Sequence, residues 1–370
     1  MTALFAPARP RTRLAAVLLS CACTVPALLA VAPAAAAPTG PSVHRVAPGS
    51  SVQAAVDAAR PGDVVELAAG SYPGSVTLTT DRVTLRGQGA RTVLVPDPAD
   101  RSACAAAGNG LCVSGSSDAQ GAPVRRLSGV LVEGLAVAGF AHNGITAAVT
   151  DGLTVRQVVA RENGLQGISV EMSTRTVLTD NEARDNGQAG IFVANWYDRK
   201  GGALDTLGTE VSANRLTGNR IGLQLRRVRD LTVQANLASG NCGGVFVVGD
   251  DGVPRAGALT VRDNVVRANN RYCPPNPRLD FVQGTGILLT GTEDVTVTGN
   301  QISDHTGASP MSGGIVLYPS VVGAPNARAT VTGNALRDDL PADLADRDPK
   351  GTGNVFTDNA CRTSEPSGHC

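Results

Sequence analysis

Glu171, Tyr197, Lys200 and Arg226 supply a carboxylate, a phenol, an amine and a guanidinium within one stretch of the chain. These are the parts of a proton-transfer site. Arg226, or Arg199, would neutralise a carboxylate on a bound molecule and acidify the carbon beside it. Tyr197 or Lys200 (or Arg227) would then serve as base or acid, with Glu171 alongside. Trp196 is the only tryptophan of the chain, and its ring face suits packing against a sugar ring. With Asp198, Arg199 and Gln224 it forms the expected set of contacts to such a molecule. Glu171, Asp198 and Asp250 would hold a hard cation such as Ca²⁺ through oxygen ligands. Plainer roles are open to the same residues. Glu171 and Arg226 suit a surface ion pair of small value. Trp196 suits a cover over the core beneath its own loop, and Asp250-Asp251-Gly252 is ordinary turn chemistry. His142 and His305 stand at corners, where a bond to a neighbouring turn competes with a proton-carrying role.

Residues this far apart meet only if the chain returns to the same place repeatedly, and it does. Gly144-Ile145, Gly167-Ile168 and Gly190-Ile191 are separated by 23 residues each time. The motif returns at Gly222-Leu223, Gly244-Val245, Gly286-Ile287 and Gly314-Ile315. A fixed period of this length marks a solenoid. After each motif apolar residues alternate, as in Ile168 and Val170 or Leu223 and Leu225, which predicts a strand with one buried face. A second alternating run follows, for example Leu231 and Val233. Then come two asparagine columns: Asn181, Asn214, Asn236, Asn264, Asn300 and Asn334, and Asn163, Asn186, Asn219, Asn241 and Asn269. Three short strands and two Asn corners per turn predict an all-β fold, a single-stranded parallel β-helix of about ten coils sharing one core. The Asn columns are expected to form hydrogen-bonded ladders, and Asn and Gly at the corners to accept positive φ.

This repeat, Gly-Ile-x-Val followed by Val-x-x-Asn and a further Asn, resembles the right-handed parallel β-helix of the pectate-lyase-like superfamily. It is most similar to repeats of NosD-type proteins, alginate epimerases and secreted carbohydrate-active proteins, over roughly residues 43 to 360. The resemblance implies an extracellular polysaccharide as partner, engaged by a lyase or C5-epimerase or by a non-catalytic surface, adhesin or envelope accessory protein. The chain departs from the enzymes' signatures. It has no Asp-Pro-His-Asp, no Gly-His-Gly or Arg-Ile-Lys, and no Arg-x-Pro-x-x-Arg.

Composition agrees with coils that turn tightly. Of 370 residues 43 are glycine, and aromatics make up 3%. The 32 basic residues balance 32 acidic ones, so no global charge argues for nucleic acid or an anionic membrane surface, and neither nucleic acid nor a membrane is expected as partner. Residues 1–36 read as a signal peptide. Arg9, Arg11 and Arg13 precede an apolar run from Leu14 to Val31, and Ala34-Ala35-Ala36 offers a cleavage site. A lipoprotein attached through Cys21 is the lesser alternative. The mature chain is expected to be secreted and monomeric, with no membrane span. Six cysteines remain beyond the leader and allow 15 pairings. Solenoid order favours the local set, Cys104–Cys112, Cys242–Cys273 and Cys361–Cys370.

The β-helix domain is expected over 37–360, with a helical cap within 43–62 and a disulfide loop at 361–370. Insertions are expected at 96–128, 195–208, 249–257 and 270–285, where binding residues collect on a rigid scaffold. In this register Glu171 and Arg226 share one outward column two coils apart, about 10 Å. Outward neighbours include Phe192, Phe246, Leu288 and Val316.

Overall fold

Alternating apolar residues and tight corners wind the chain into three parallel sheets of 12, 10 and 11 strands, here called the first, second and third. A computed structural model describes residues 40–196, 201–277 and 279–370. The expected leader, with Cys21, lies outside the described residues. Within Pro41–Cys370 the coils beyond the N-terminal cap pass from the third sheet to the first, then the second, and back. One such coil runs Ile145–Ala148, Thr154–Arg156 and Val159–Arg161, and Ile168–Glu171 starts the next. Register is residue for residue, so Ile145 lies beside Ile168 and Ile168 beside Ile191. Like side chains therefore stack. Val155, Leu178, Val211 and Val233 form one fully buried row, each burial contributing about 1.5–3 kcal/mol.

Close approach between coils explains the glycine of each Gly-Ile pair. A Cβ on Gly167 would stand 2.6 Å from the carbonyl oxygen of Gly190, and one on Gly190 would stand 2.8 Å from that of Gly222. The Asn columns are ladders. From Asn181 through Asn359, each side-chain amide donates to the Oδ1 of the Asn one coil onward at 2.9–3.0 Å. The backbone N–H of each Asn donates to the same oxygen. Positive φ falls on corner glycines as expected, such as Gly299 and Gly333, but not on the ladder Asn: the residue before each takes it, whether glycine or, as at Asp180, Ala213, Ala235 and Asp263, another residue. The Asn is held by its amide bonding, and the left-handed turn is made by its predecessor.

The second ladder, Asn163 to Asn269, continues through His305. Asn269 donates to His305 Nε2 at 3.0 Å, and His305 Nδ1 bonds Asp339 Oδ1 at 2.7 Å. Asn269 already accepts from Asn241 through Oδ1. The ladder's direction therefore makes Nε2 the acceptor and puts the imidazole proton on Nδ1. Burial pushes the Asp339 carboxyl above its ordinary range. His305 thus takes the corner role.

At the N-terminal end, Val43–Val46 is already a strand, paired with Val64–Leu67. Helix α1, Val52–Ala58, starts at Ser51, whose Oγ accepts the Ala54 N–H, and it buries Val52 and Val56. Asp63 ties this end together by accepting from the N–H groups of Ser42 and Arg60 and bonding His44 Nε2. At the other end Phe356 stacks on His369, with ring centroids 4.2 Å apart, inside the Cys361–Cys370 loop. All three local disulfides are formed. The stretch 96–128 is not wholly an insertion, since Leu111–Ser114 is a strand of the third sheet. Likewise Leu204–Ser212 belongs to the first sheet, which shortens the insertion that begins at 195.

Two outcomes follow from these bonds. Asn214→Leu strands buried partners on both sides of the ladder, at about 1–3 kcal/mol for each unsatisfied group. Urea unfolding should show a loss of about 3 kcal/mol, and a loss below about 0.5 kcal/mol would mean the ladder is not stabilising. Asp63 is held at about 2, against an ordinary 3.8, first by the Arg60 N–H and then by His44 and Ser42. A depressed carboxylate stabilises fully above its unfolded pKa and loses that contribution as pH falls through its folded one. Thermal unfolding followed from about pH 5 to pH 2 should therefore drop more steeply in the parent than in Asp63→Asn.

Candidate functional site

The third sheet carries two outward columns. One runs Thr146, Ser169, Phe192, Gln224, Phe246, Leu288 and Val316. The other runs Ala148, Glu171, Ala194, Arg226, Val248, Thr290 and Tyr318. Glu171 and Arg226 do share a column, with Ala194 between them. The first column is not open, however. Phe192, Phe246, Leu288 and Val316 are each at most 2% exposed. Phe246, Leu288 and Val316 pack in a second apolar cluster with Cys242, Val282 and Met311, joined by Cys273 and Leu279. The insertion around 270–284, clipped by Cys242–Cys273, and residues 304–312 thus close over that half of the sheet. What stays open is the other column. Glu171, Arg226, Val248, Thr290 and Tyr318 are half-buried along it, with Gln224 beside Arg226.

The insertions bordering this strip are pinned by arginines that donate to backbone carbonyls. Arg220, 7% exposed, donates to Pro274 O at 2.6 Å and to Asp280 O at 3.3 Å. Burial lowers its pKa. Arg347 donates to Pro310 O and Ser312 O, both at 2.8 Å, and pairs with Glu365. On the opposite edge Arg255 donates to Pro325 O. Arg227 donates to Trp196 O and lies 3.8 Å from Asp250 Oδ2, so one buried guanidinium ties two insertions. Backbone joins them too, through Ala203 N–H to Pro254 O at 2.6 Å.

Each expected residue can now be placed. Trp196 is half-buried, and its indole N–H donates to Gly121 O at 2.7 Å, docking it on the hairpin Ser116–Ser117/Pro123–Arg125. Asp250 Oδ1 accepts the Gly252 N–H at 2.9 Å, the turn bond its neighbours suggest. Ser169 Oγ lies 3.4 Å from Glu171 Oε1. Tyr197, Asp198, Arg199 and Lys200 lie outside the described residues. Among the described residues no group of three or more His, Cys, Asp or Glu is placed to hold a metal. Glu171 and Asp250 sit on coils three strand steps apart, about 14 Å of backbone. His142 bonds Ala107 O through Nδ1 at 2.8 Å, away from the strip. The sequence register already puts Thr290 and Tyr318 on the outward column of Glu171 and Arg226; it missed the clamping arginines and the cover over the first column. The signal for that cover was available: Phe246, Leu288 and Val316 are consecutive apolar residues on an outward column, and such a row requires burial.

Comparisons with known proteins agree with this architecture. Residues 198–336 match the family model described as right-handed beta helix region. No curated protein matches the chain. Among solved structures, an alginate lyase from Paenibacillus sp. str. FPU-7 aligns over 86% of this chain and 99% of its own, with 15% identity and a TM-score of 0.57. The A-module of mannuronan C-5 epimerase AlgE6 from Azotobacter vinelandii covers 84% and 90%, at 18% identity and a TM-score of 0.55. DFA-IIIase from Arthrobacter chlorophenolicus A6 covers 81% and 74%, at 15% identity and 0.57. The chain has a right-handed parallel β-helix fold.

If Arg227 is the clamp, Arg227→Met should leave the coils intact and loosen both insertions. Amide exchange followed by mass spectrometry should speed up about tenfold or more in peptides covering 195–203 and 249–256, with core peptides unchanged. Unchanged exchange in both insertions would remove Arg227 from that role.

Proposed function

We propose that this protein engages an extracellular polysaccharide along the open strip of the third sheet. The observation that carries the reading is the strip itself. A row of half-buried polar and aromatic side chains, Glu171, Gln224, Arg226, Thr290 and Tyr318, lies on rigid strands. On both sides it is bordered by insertions that arginines hold in place. An extended chain molecule is the natural occupant of such a strip. Arg226 near its middle favours a glycan with carboxylate groups, since a guanidinium pairs planar carboxylates in two-pronged fashion. Two proteins of the same fold are named for mannuronan and for alginate.

The finer reading is a lyase or epimerase step on a uronate. Arg226 would neutralise the carboxylate and so acidify the neighbouring C–H. Tyr197 or Lys200 would move the proton, and Trp196, Asp198 and Arg199 would hold the sugar. Ca²⁺, if used, would be held by Glu171 with Asp198 or Asp250. A non-catalytic surface or envelope role is the competing reading, favoured by the Trp196 indole N–H and the Asp250 carboxylate being occupied by the protein itself. Three disulfides suit an oxidising, extracellular location. No helix among the described residues is long and apolar enough to cross a membrane.

The test is a panel of polyuronates and neutral glycans, with and without Ca²⁺. Binding, ultraviolet absorbance of an unsaturated product and NMR of the recovered glycan are followed in parallel. The parent should bind a polyuronate, and Arg226→Met should weaken that binding about tenfold, worth about 1.4 kcal/mol. A rise in absorbance identifies a lyase, and altered C5 stereochemistry identifies an epimerase. Binding with neither change identifies the non-catalytic role. No affinity for any glycan of the panel would overturn the proposal.

A further inference from the structure

The corner between the first and second sheets lies across the core from the strip, and in one coil it is enlarged. Between Thr84–Arg86 and Thr92–Val95 the chain makes a short 3-10 turn, Gly89–Arg91. Beside it lies a shallow depression of about 450 Å³, lined chiefly by Arg86, Gly87, Gly89, Glu133, Gly134 and Arg156. The floor is backbone. Gly87 N–H donates to Glu133 O at 3.0 Å, and Gly89 N–H donates to Gly134 O at 2.7 Å. The coils meet closely there, so that a Cβ on Gly87 would stand 2.5 Å from Gly134 O.

The walls are charged. Arg86, Glu133 and Arg156 occupy one position on three successive strands of the first sheet. Glu133 is 9% exposed, and both its oxygens are taken: Oε1 by Arg86 Nε at 2.8 Å, Oε2 by Arg156 Nε at 2.8 Å and Nη2 at 2.5 Å. The row continues past Arg86 through Glu66 to Arg45, so three guanidiniums alternate with two carboxylates and leave one positive charge in excess. Both terminal nitrogens of Arg86, and Nη1 of Arg156, bond no protein group among the described residues. The two side chains are 46% and 48% exposed. Unused guanidinium donors beside an open glycine floor call for an acceptor that is small, planar or compact, and anionic.

We propose that this depression is a second binding site, for a carboxylate or sulfate group carried on a sugar ring. Sugar suits it better than nucleic acid does. A single excess charge with a carboxylate at its centre fits one oxyanion per repeat, whereas a phosphate run needs several cations in a row. The site does not depend on the third-sheet strip, and it would anchor an acidic glycan at a point remote from that strip.

Gly89 provides a discriminating test. A Cβ there meets nothing within 4 Å, and its φ of +68° is one that Asn and Asp accept. Gly89→Asn and Gly89→Asp are therefore nearly identical in shape and differ by one negative charge. Both are made in an Arg226→Met background, so that the strip contributes little. Binding to oligogalacturonate, sulfated dextran oligomers and plain dextran oligomers is measured by calorimetry at low salt. The background protein should bind one or both charged oligomers and not dextran, and which one it binds identifies the oxyanion. Gly89→Asn should keep affinity within about threefold, whereas Gly89→Asp should lose about tenfold or more. No binding of either charged oligomer, equal binding of dextran, or equal affinity of the Asn and Asp variants would overturn the site. A failure of the strip proposal alone would leave this charge dependence in place.

Discussion

Everything in this protein rests on a directional hydrogen bond repeated from coil to coil. Each ladder Asn accepts from the coil before it and donates to the coil after it. That bond satisfies buried backbone donors at the corners, where strand pairing cannot reach them. It also locks register, because a shift of one residue would break the amide chain and turn every apolar side chain outward. Direction has a further effect at the ladder's end. An imidazole can replace an amide at His305 only in one tautomer, and a carboxylate, which accepts and need not donate, can terminate the series at Asp339.

The scaffold is regular, and its insertions are held by other means. Arg220, Arg227, Arg255 and Arg347 each reach backbone carbonyls of a segment that leaves the coils. All but two of the 32 basic residues in the chain are arginine. The choice is physically apt, because a guanidinium presents several donors in a fixed plane and stays protonated when buried. Carbonyl oxygens at insertion bends thereby obtain partners, and the borders of the open strip become parts of the rigid body. The Cys242–Cys273 bridge adds a covalent tie on one side.

The fold was legible in the sequence because stacking demands sameness. A ladder needs Asn at the same place in successive coils, and close coil contact needs Gly at another, so the physics leaves a periodic record. His305 escaped that record because it preserves the bonding while changing the residue type. The shared column of Glu171 and Arg226 was also legible, since counting from each Gly-Ile gives the register directly. The arginine clamps were not. Arg220 lies 54 residues from Pro274 and Arg255 lies 70 from Pro325. Their partners are carbonyl groups, which every residue carries. The cover over Phe246, Leu288 and Val316 comes from segments outside the repeat, so no period announces it.

The ladders also bear on how the molecule ages. Asn163 and Asn186 are each followed by glycine, the pairing most prone to lose its side-chain amide through attack by the next backbone nitrogen. Here neither side chain is free to make the approach. Each amide nitrogen donates to a neighbouring coil, Asn163 Oδ1 receives the Phe140 N–H, and Asn186 Oδ1 receives two N–H groups from Asn163. Folding thus shelters a chemically fragile dipeptide by occupying both ends of the reactive group. The converse is a one-way hazard. Coils that open for long enough to deamidate at Asn163 or Asn186 would present a carboxylate where the stack requires a donor, and would close again less well.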